Sequence, residues 1–318
     1  MKIAFHDNSL CLMGTSVAIY DWAYWTRYYL GVDPIIMYNK NNHANSELAY
    51  EKFKSQFPVF GYNDKSEIDG ILEKNKCDAF LMEKGGDPSD GIISTVSKNL
   101  VNAISGHWQN HWIHGDVYAM GSKWLSKITG YTVPYVPYIV HLPDVDGDMR
   151  DELSIPNDAL VIGRNGGWTT FDIFFVKQAI REIIDSRKDI WFVFQNTEPF
   201  IEHERVIYLP GSADLTTKVR FINTCDAMLH AREVGESFGL ACAEFSLKNK
   251  PVITWDGSPE RNHIDTLDER GIYYSNKSDV MHILLNLDKK EINPLEWNCY
   301  QEYSPEKVVK KFQDVYLG

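Results

Sequence analysis

The sequence predicts an α/β protein made of two doubly wound parallel sheets. Short apolar runs alternate with longer amphipathic stretches along nearly the whole chain, the pattern of strands that cross over through helices. The alternation comes as two successive series, separated by a Pro- and Asp-rich stretch. The length, 318 residues, suits two domains at ~100–200 residues each. The expected division is an N-terminal Rossmann-like domain over 1–142, a linker over 143–154 and a second Rossmann-like domain over 155–303. A terminal helix over 304–318 would pack back on the first domain. Ligands would lie in a cleft beyond the carboxyl ends of the strands, as doubly wound sheets place them.

In the first series, strands are expected at Lys2–His6, Pro34–Tyr38, Val59–Phe60, Ala79–Met82, Leu100–Ile104 and Val117–Met120. Each is a short apolar run of strand length. Helices are expected at Ser16–Leu30, Ser46–Gln56, Ser66–Lys74 and Lys123–Ile128, the last capped by Ser122. The segment Val133–Leu142, VPYVPYIVHL, carries too much proline for a helix and reads as extended. In the second series, strands are expected at Ala159–Gly163, Ile190–Gln195, Val206–Tyr208, Ala227–Leu229 and Pro251–Thr254. Helices are expected at Phe171–Ser186, Leu215–Asn223, Ser237–Leu247, Asp279–Leu287 and Pro305–Tyr316.

The formal charge is −12, and both halves are acidic. That balance excludes broad binding of a nucleic-acid backbone but leaves room for a phosphate in one pocket. No apolar run approaches the ~18 residues of a membrane span, and the N-terminus is too polar for a secretory signal. The five cysteines (11, 77, 225, 242 and 299) are widely spaced without a C-x-x-C pair. They suit a reduced, cytoplasmic protein. Asp144–Glu152, DVDGDMRDE, contains two D-x-D patterns. Carboxylates so spaced can hold a divalent cation. As a calcium loop, however, the stretch has Met149 at the sixth position and Ile155 at the twelfth. It is read as a solvated acidic linker, and no metal site or cofactor is expected.

The residues with the clearest chemistry lie at Ala227–Thr254, AMLHAREVGESFGLACAEFSLKNKPVIT. A strand leads through a loop into a helix start at Ser237–Leu240, with Ser237 a candidate N-cap. Free amides there favour an anion, and Gly239 allows close approach to the backbone. Glu236 and Glu244, spaced E-x7-E, would be repelled by a phosphate but can accept hydrogen bonds from sugar hydroxyls at its two ends. A second loop, Ile162–Asp172, IGRNGGWTTFD, offers Arg164 as a cationic fork and the amides of Asn165, Gly166 and Gly167 for a diphosphate. It lacks G-x-G-x-x-G, which argues against a nicotinamide enzyme.

The run ESFGLACAE, followed by KNKPVIT and YSPEKVVKKF at 303–312, resembles the signature of retaining GT-B glycosyltransferases, especially glycosyltransferase family 4. The resemblance implies a GT-B fold and a hexosyltransferase. It would move sugar from a nucleoside diphosphate sugar, such as a UDP- or GDP-sugar, to an acceptor hydroxyl with retention and without a metal. The acceptor would be a glycan, a lipid-linked molecule or a small molecule. The resemblance places Glu236 by the transferred sugar and Glu244 on the ribose, with Ser237, Phe238, Gly239 and Leu240 at the phosphates. Gly14 and Thr15 stand where the family has a loop contacting the sugar phosphate or acceptor. His107 stands where it has a sugar-lining histidine, with His111 and His114 as alternatives. Gly257–Glu260 resembles a loop bordering the donor. The family also carries a lysine a few residues after the arginine. Here Thr169 and Thr170 stand in its place, so neutralising the diphosphate falls to amides and threonine hydroxyls, to Lys218 or to Arg232. The alternatives are another GT-B enzyme, an epimerase or phosphorylase, or a silent protein that binds sugar nucleotides or glycans.

Overall fold

The computed structural model describes all residues 1–318. They form two compact units, one of residues 1–139 with 302–318 and one of residues 140–301. Each unit is built on a six-stranded parallel sheet.

The first unit contains β1 (Lys2–Asp7), β2 (Asp33–Asn39), β3 (Val59–Tyr62), β4 (Ala79–Lys84), β5 (Lys98–Ala103) and β6 (Val117–Met120). Their order across the sheet is β3-β2-β1-β4-β5-β6. The helices are α1 (Gly14–Leu30), α2 (Glu47–Lys54), α3 (Ile68–Asn75) and α4 (Lys123–Ile128). Ser122 caps α4, its hydroxyl accepting the Leu125 amide at 3.2 Å. The proline-rich segment after α4 runs extended, and Tyr135 bridges to Met120 at the edge of the sheet.

The second unit contains β7 (Leu160–Asn165), β8 (Ile190–Gln195), β9 (Val206–Leu209), β10 (Ala227–Leu229), β12 (Val252–Trp255) and β14 (Ile272–Tyr274), ordered β14-β12-β10-β7-β8-β9. Two short strands, β11 (Gly235–Glu236) and β13 (Glu260–Arg261), pair with each other outside the sheet. The helices are α5 (Phe174–Ser186), α6 (Leu215–Thr224), α7 (Leu240–Leu247), α8 (Asn262–Leu267), α9 (Lys277–Asn286) and α10 (Lys289–Ile292). In α5, buried Val176, Ala179, Ile180, Ile183 and Ile184 recur at helical spacing and face the sheet. Both sheets have the strand order of a doubly wound Rossmann-like domain, with chain direction reversing between β1 and β4 and between β7 and β10.

The C-terminal α11 (Pro305–Phe312) belongs to the first unit. Phe312 packs on Phe5 at 6.2 Å between ring centroids, and the Tyr316 hydroxyl donates to the Val101 carbonyl at 3.1 Å. The helix widens into a five-residue π turn at Gln313–Leu317 instead of continuing to Tyr316 as α-helix.

Other boundaries differ from expectation for identifiable reasons. Helix α5 begins at Phe174, not Phe171, because Phe171 is a core residue and the amides of Asp172 and Ile173 are tied to the Ala231 carbonyl. Helix α9 begins at Lys277, two residues early, because Asn276 caps it through the Asp279 amide. Strand β14 (Ile272–Tyr274) was not expected. The acidic stretch is solvated at Asp144 and Asp146 but packed at Met149 and Arg150, which are buried within the second unit. Met149 donates its amide to Thr224 Oγ1 on α6, and Arg150 pairs with Asp226.

Candidate functional site

The carboxyl ends of β7 and β10 gather most of the polar residues singled out in the sequence. Arg164, in the last turn of β7, is buried. Its Nη1 donates to the Asn196 carbonyl at 3.2 Å and to Thr197 Oγ1 at 2.5 Å. Its Nη2 donates to the Gly167 carbonyl at 3.0 Å and to Thr170 Oγ1 at 2.6 Å. A Cβ at Gly166 would meet Nη2 at 2.6 Å, so glycine is what lets the guanidinium lie beneath this loop. Burial lowers the Arg164 pKa to about 10, against the opposing pull of Glu236 and Asp172. It remains a cation at neutral pH, and the four acceptors named are all uncharged. Such a charge favours an anion nearby. Thr170, standing where a lysine was expected, is held by this arginine. Thr169 is exposed.

Glu244 lies in α7 and is buried. Lys218 of α6 pairs with its Oε1 at 2.6 Å, and Asn165 Nδ2 donates to its Oε2 at 3.2 Å. Lys218 is therefore committed to a carboxylate, and the missing lysine is not replaced by a free one here. Helix α7 is entered through Gly239, in left-handed backbone at φ 89°, with no side-chain cap. This corrects the expectation that Ser237 is the N-cap. The uncapped first-turn amides of α7 keep their donor capacity. Phe238 is a core residue packed against Tyr300, so its backbone alone shapes the turn.

The loop between β10 and α7 carries Arg232 and Glu236. Arg232 Nη1 donates to Glu236 Oε2 at 3.0 Å, and His230 Nε2 lies 3.2 Å from Glu236 Oε1. Burial acts to raise the Glu236 pKa. The His230 hydrogen bond, the charges of His230 and His263 when those rings are protonated, and the charge of Arg232 outweigh it and bring the carboxyl down to about 2. Gly235 makes this loop possible: its φ is +78°, and a Cβ would stand 2.1 Å from the Glu260 carbonyl oxygen.

Behind Glu236, His230 Nδ1 lies 2.9 Å from Thr254 Oγ1, which lies 3.1 Å from His263 Nε2. Sequence reading missed these three residues. The available signal was weak: His230 and Thr254 each follow an apolar strand run, and the β10–β12 register then sets them side by side.

A cavity of about 340 Å³ adjoins the same loop, lined by Asp172, Glu233, Val234, Trp255 and Pro259. It presents two carboxylates and no cation, so it does not suit a phosphate.

The remaining predicted residues lie in the first unit. Gly14 and Thr15 open α1 after β1. His107 is exposed on the loop after β5, its amide donating to Ser105 Oγ at 3.1 Å. His111 is exposed, and His114 Nε2 lies 3.2 Å from the buried Lys84 ammonium. The described residues contain no group of three or more His, Cys, Asp or Glu side chains placed to hold a metal ion.

Among solved structures, the chain resembles HepE from Anabaena in complex with UDP-glucose, with a TM-score of 0.74 at 13% identity over 99% of this chain and 98% of that one. It also resembles a glycosyltransferase from Rickettsia africae, with a TM-score of 0.67 at 12% identity over 99% and 97%. Sucrose-phosphate synthase from Thermosynechococcus elongatus gives 0.68 at 11% identity over 99% and 98%. No family model and no curated protein sequence matches the chain. These likenesses establish the GT-B fold of two Rossmann-like domains.

Proposed function

We propose that the chain is a retaining glycosyltransferase of the family 4 kind. It would transfer a hexosyl group from a nucleoside diphosphate sugar to an acceptor hydroxyl without a bound metal. The observation that carries this reading is the buried Arg164 cation, held by neutral acceptors, in the same unit as an uncapped helix start and two carboxylates at E-x7-E spacing. The likeness to HepE, whose structure holds UDP-glucose, supports the donor class.

The main physical task is to stabilise a diphosphate as the glycosidic bond stretches. Arg164, whose four Nη hydrogens are held by protein acceptors, would supply a fixed positive charge, and the amides of Asn165–Gly167 and those opening α7 would be donors fixed before the reaction. Removing one such donor commonly costs ~3–4 kcal/mol of transition-state stabilisation. Glu244 and Asn165 would hold the ribose hydroxyls. Glu236, ionised at neutral pH, would accept from a hydroxyl of the transferred sugar, and Arg232 would keep it from repelling the phosphates. The acceptor would attack on the face from which the diphosphate leaves, so no protein nucleophile is required. Gly14, Thr15 and His107 are the residues proposed to contact acceptor and sugar. The five unpaired cysteines fit a reducing, cytoplasmic compartment.

The test is thermal unfolding with UDP, GDP, ADP, CMP and their sugar conjugates, with and without chelator. One nucleoside diphosphate at ~100 times its dissociation constant should stabilise the fold by ~2.7 kcal/mol. The gain should survive chelation and vanish in Glu244→Ala. No stabilisation by any of them removes the donor site. Turnover of a sugar nucleotide with no acceptor present would make the enzyme an epimerase instead.

A further inference from the structure

We propose that His230, Thr254 and His263 form a one-way hydrogen-bond chain that fixes the orientation of Glu236. Only its consequence for turnover rests on the transferase reading; the chain itself follows from proton counting.

Ionised Glu236 is an acceptor only, so His230 must donate Nε2–H to Oε1 across 3.2 Å. A neutral imidazole with its proton on Nε2 has a lone pair on Nδ1. The partner there is the Thr254 hydroxyl at 2.9 Å, which must therefore donate. With its proton spent, Thr254 Oγ1 accepts from His263, whose Nε2 lies 3.1 Å away. That assignment leaves His263 Nδ1 as a bare lone pair, and this atom is buried with no partner. The reverse direction would leave an orphaned buried N–H at the same place, which folded proteins avoid more strictly than an orphaned acceptor.

The surroundings agree. His263 is fully buried, and burial together with the charge of a protonated His230 would disfavour its own protonation. The groups facing His230 are Glu236 on β11, Arg232 on the loop, Thr254 on β12 and His263 on α8, with Arg261 beyond His263. The Tyr274 hydroxyl on β14 takes up the His230 carbonyl. Arg232 already supplies Glu236 with a full positive charge, so a neutral His230 completes the carboxylate with a directed N–H and adds no second cation. Thr254 and His263 are positioning residues: they act on Glu236 through His230.

The experiment is long-range ¹H–¹⁵N NMR on the full chain with ¹⁵N-labelled histidine, with His230 and His263 assigned by single substitution. Both should be neutral Nε2–H tautomers near neutral pH. In Thr254→Val, His263 and His230 should lose that fixed tautomer. Sugar-nucleotide turnover should fall about tenfold in kcat, the worth of one buried hydrogen bond, while donor KM stays nearly constant. Thr254→Ser keeps the hydroxyl and should restore both readouts. Finding His230 as the Nδ1–H tautomer or as imidazolium, or finding both spectra unchanged in Thr254→Val, overturns the chain. A wild-type protein without turnover would sink the transferase reading, yet the NMR would still decide the hydrogen-bond chain.

Discussion

The two sheets share one strand order but treat buried carboxyl groups in opposite ways. In the first unit, Asp7 and Glu83 lie at the carboxyl ends of adjacent strands, one position past the His6–Met82 pair. No cation pairs with either in the structure. Burial raises the Asp7 pKa to about 6, even though the hydroxyls of Ser16 and Thr15 pull it down. Burial, reinforced by Asp7, pushes Glu83 well above the carboxylate range, and Tyr138 donates to it. In the second unit, the carboxylates have cations: buried Asp226 has Arg150 and Lys289, buried Glu244 has Lys218, and half-buried Glu236 has Arg232. The same topology thus yields one strand end that leaves buried acids without a counter-charge and raises their pKa, and another whose acids are paired with cations.

The largest break in this contrast would come from Arg150→Met. Asp226 sits 2.9 Å from Arg150 and accepts the Val161 amide at 2.8 Å. Stranding this buried carboxylate should cost ~3–5 kcal/mol in denaturant unfolding. A loss under ~1 kcal/mol would mean that Lys289 alone suffices, and that pairing in the second unit is looser than the geometry implies.

Two neutral isosteres sharpen the contrast, because their pH dependences should have opposite signs. Glu236 is lowered from 4.5 to about 2, so its ionisation stabilises the fold above pH 4.5, and that gain is lost as pH falls toward 2. The linkage is on the order of 3 kcal/mol. Glu236→Gln should therefore be less stable than wild type near neutral pH, with the gap closing on acidification. Glu83 is raised above 4.5, so the folded state binds the extra proton and wild-type stability drains away as pH rises above 4.5. Glu83→Gln should match wild type at acid pH and exceed it near neutrality. Parallel curves for the two variants, measured by urea unfolding across pH, would erase the distinction.

The smallest effect is one in which the units should not differ. Ser122 caps α4 in the first unit and Asp214 caps α6 in the second, accepting the Thr217 amide at 2.7 Å. Alanine at either should cost ~1 kcal/mol. A large inequality would trace to Asp214, whose charge also faces the helix dipole.

Much of this was readable in one dimension. Alternating apolar runs located eleven of the twelve strands of the two main sheets, and Arg164, Asn165, Glu236 and Glu244 stood out because each lies in a short local motif. Strand and helix periods and glycine turns are properties of near neighbours, so sequence alone determines them. Partners were a different matter. Lys218 and Glu244 are separated by 26 residues, and His230 and Thr254 by 24. Their meeting depends on which strands lie side by side and in what register. Only the folded sheet decided that Lys218 is spent on Glu244, that Phe238 turns into the core, and that Gly239 rather than Ser237 opens α7. The same holds for protonation. Asp7, Glu83 and Glu236 are identical to any other carboxyl group in the sequence. Desolvation and counter-charge, which exist only after packing, drive Asp7 and Glu83 up and Glu236 down.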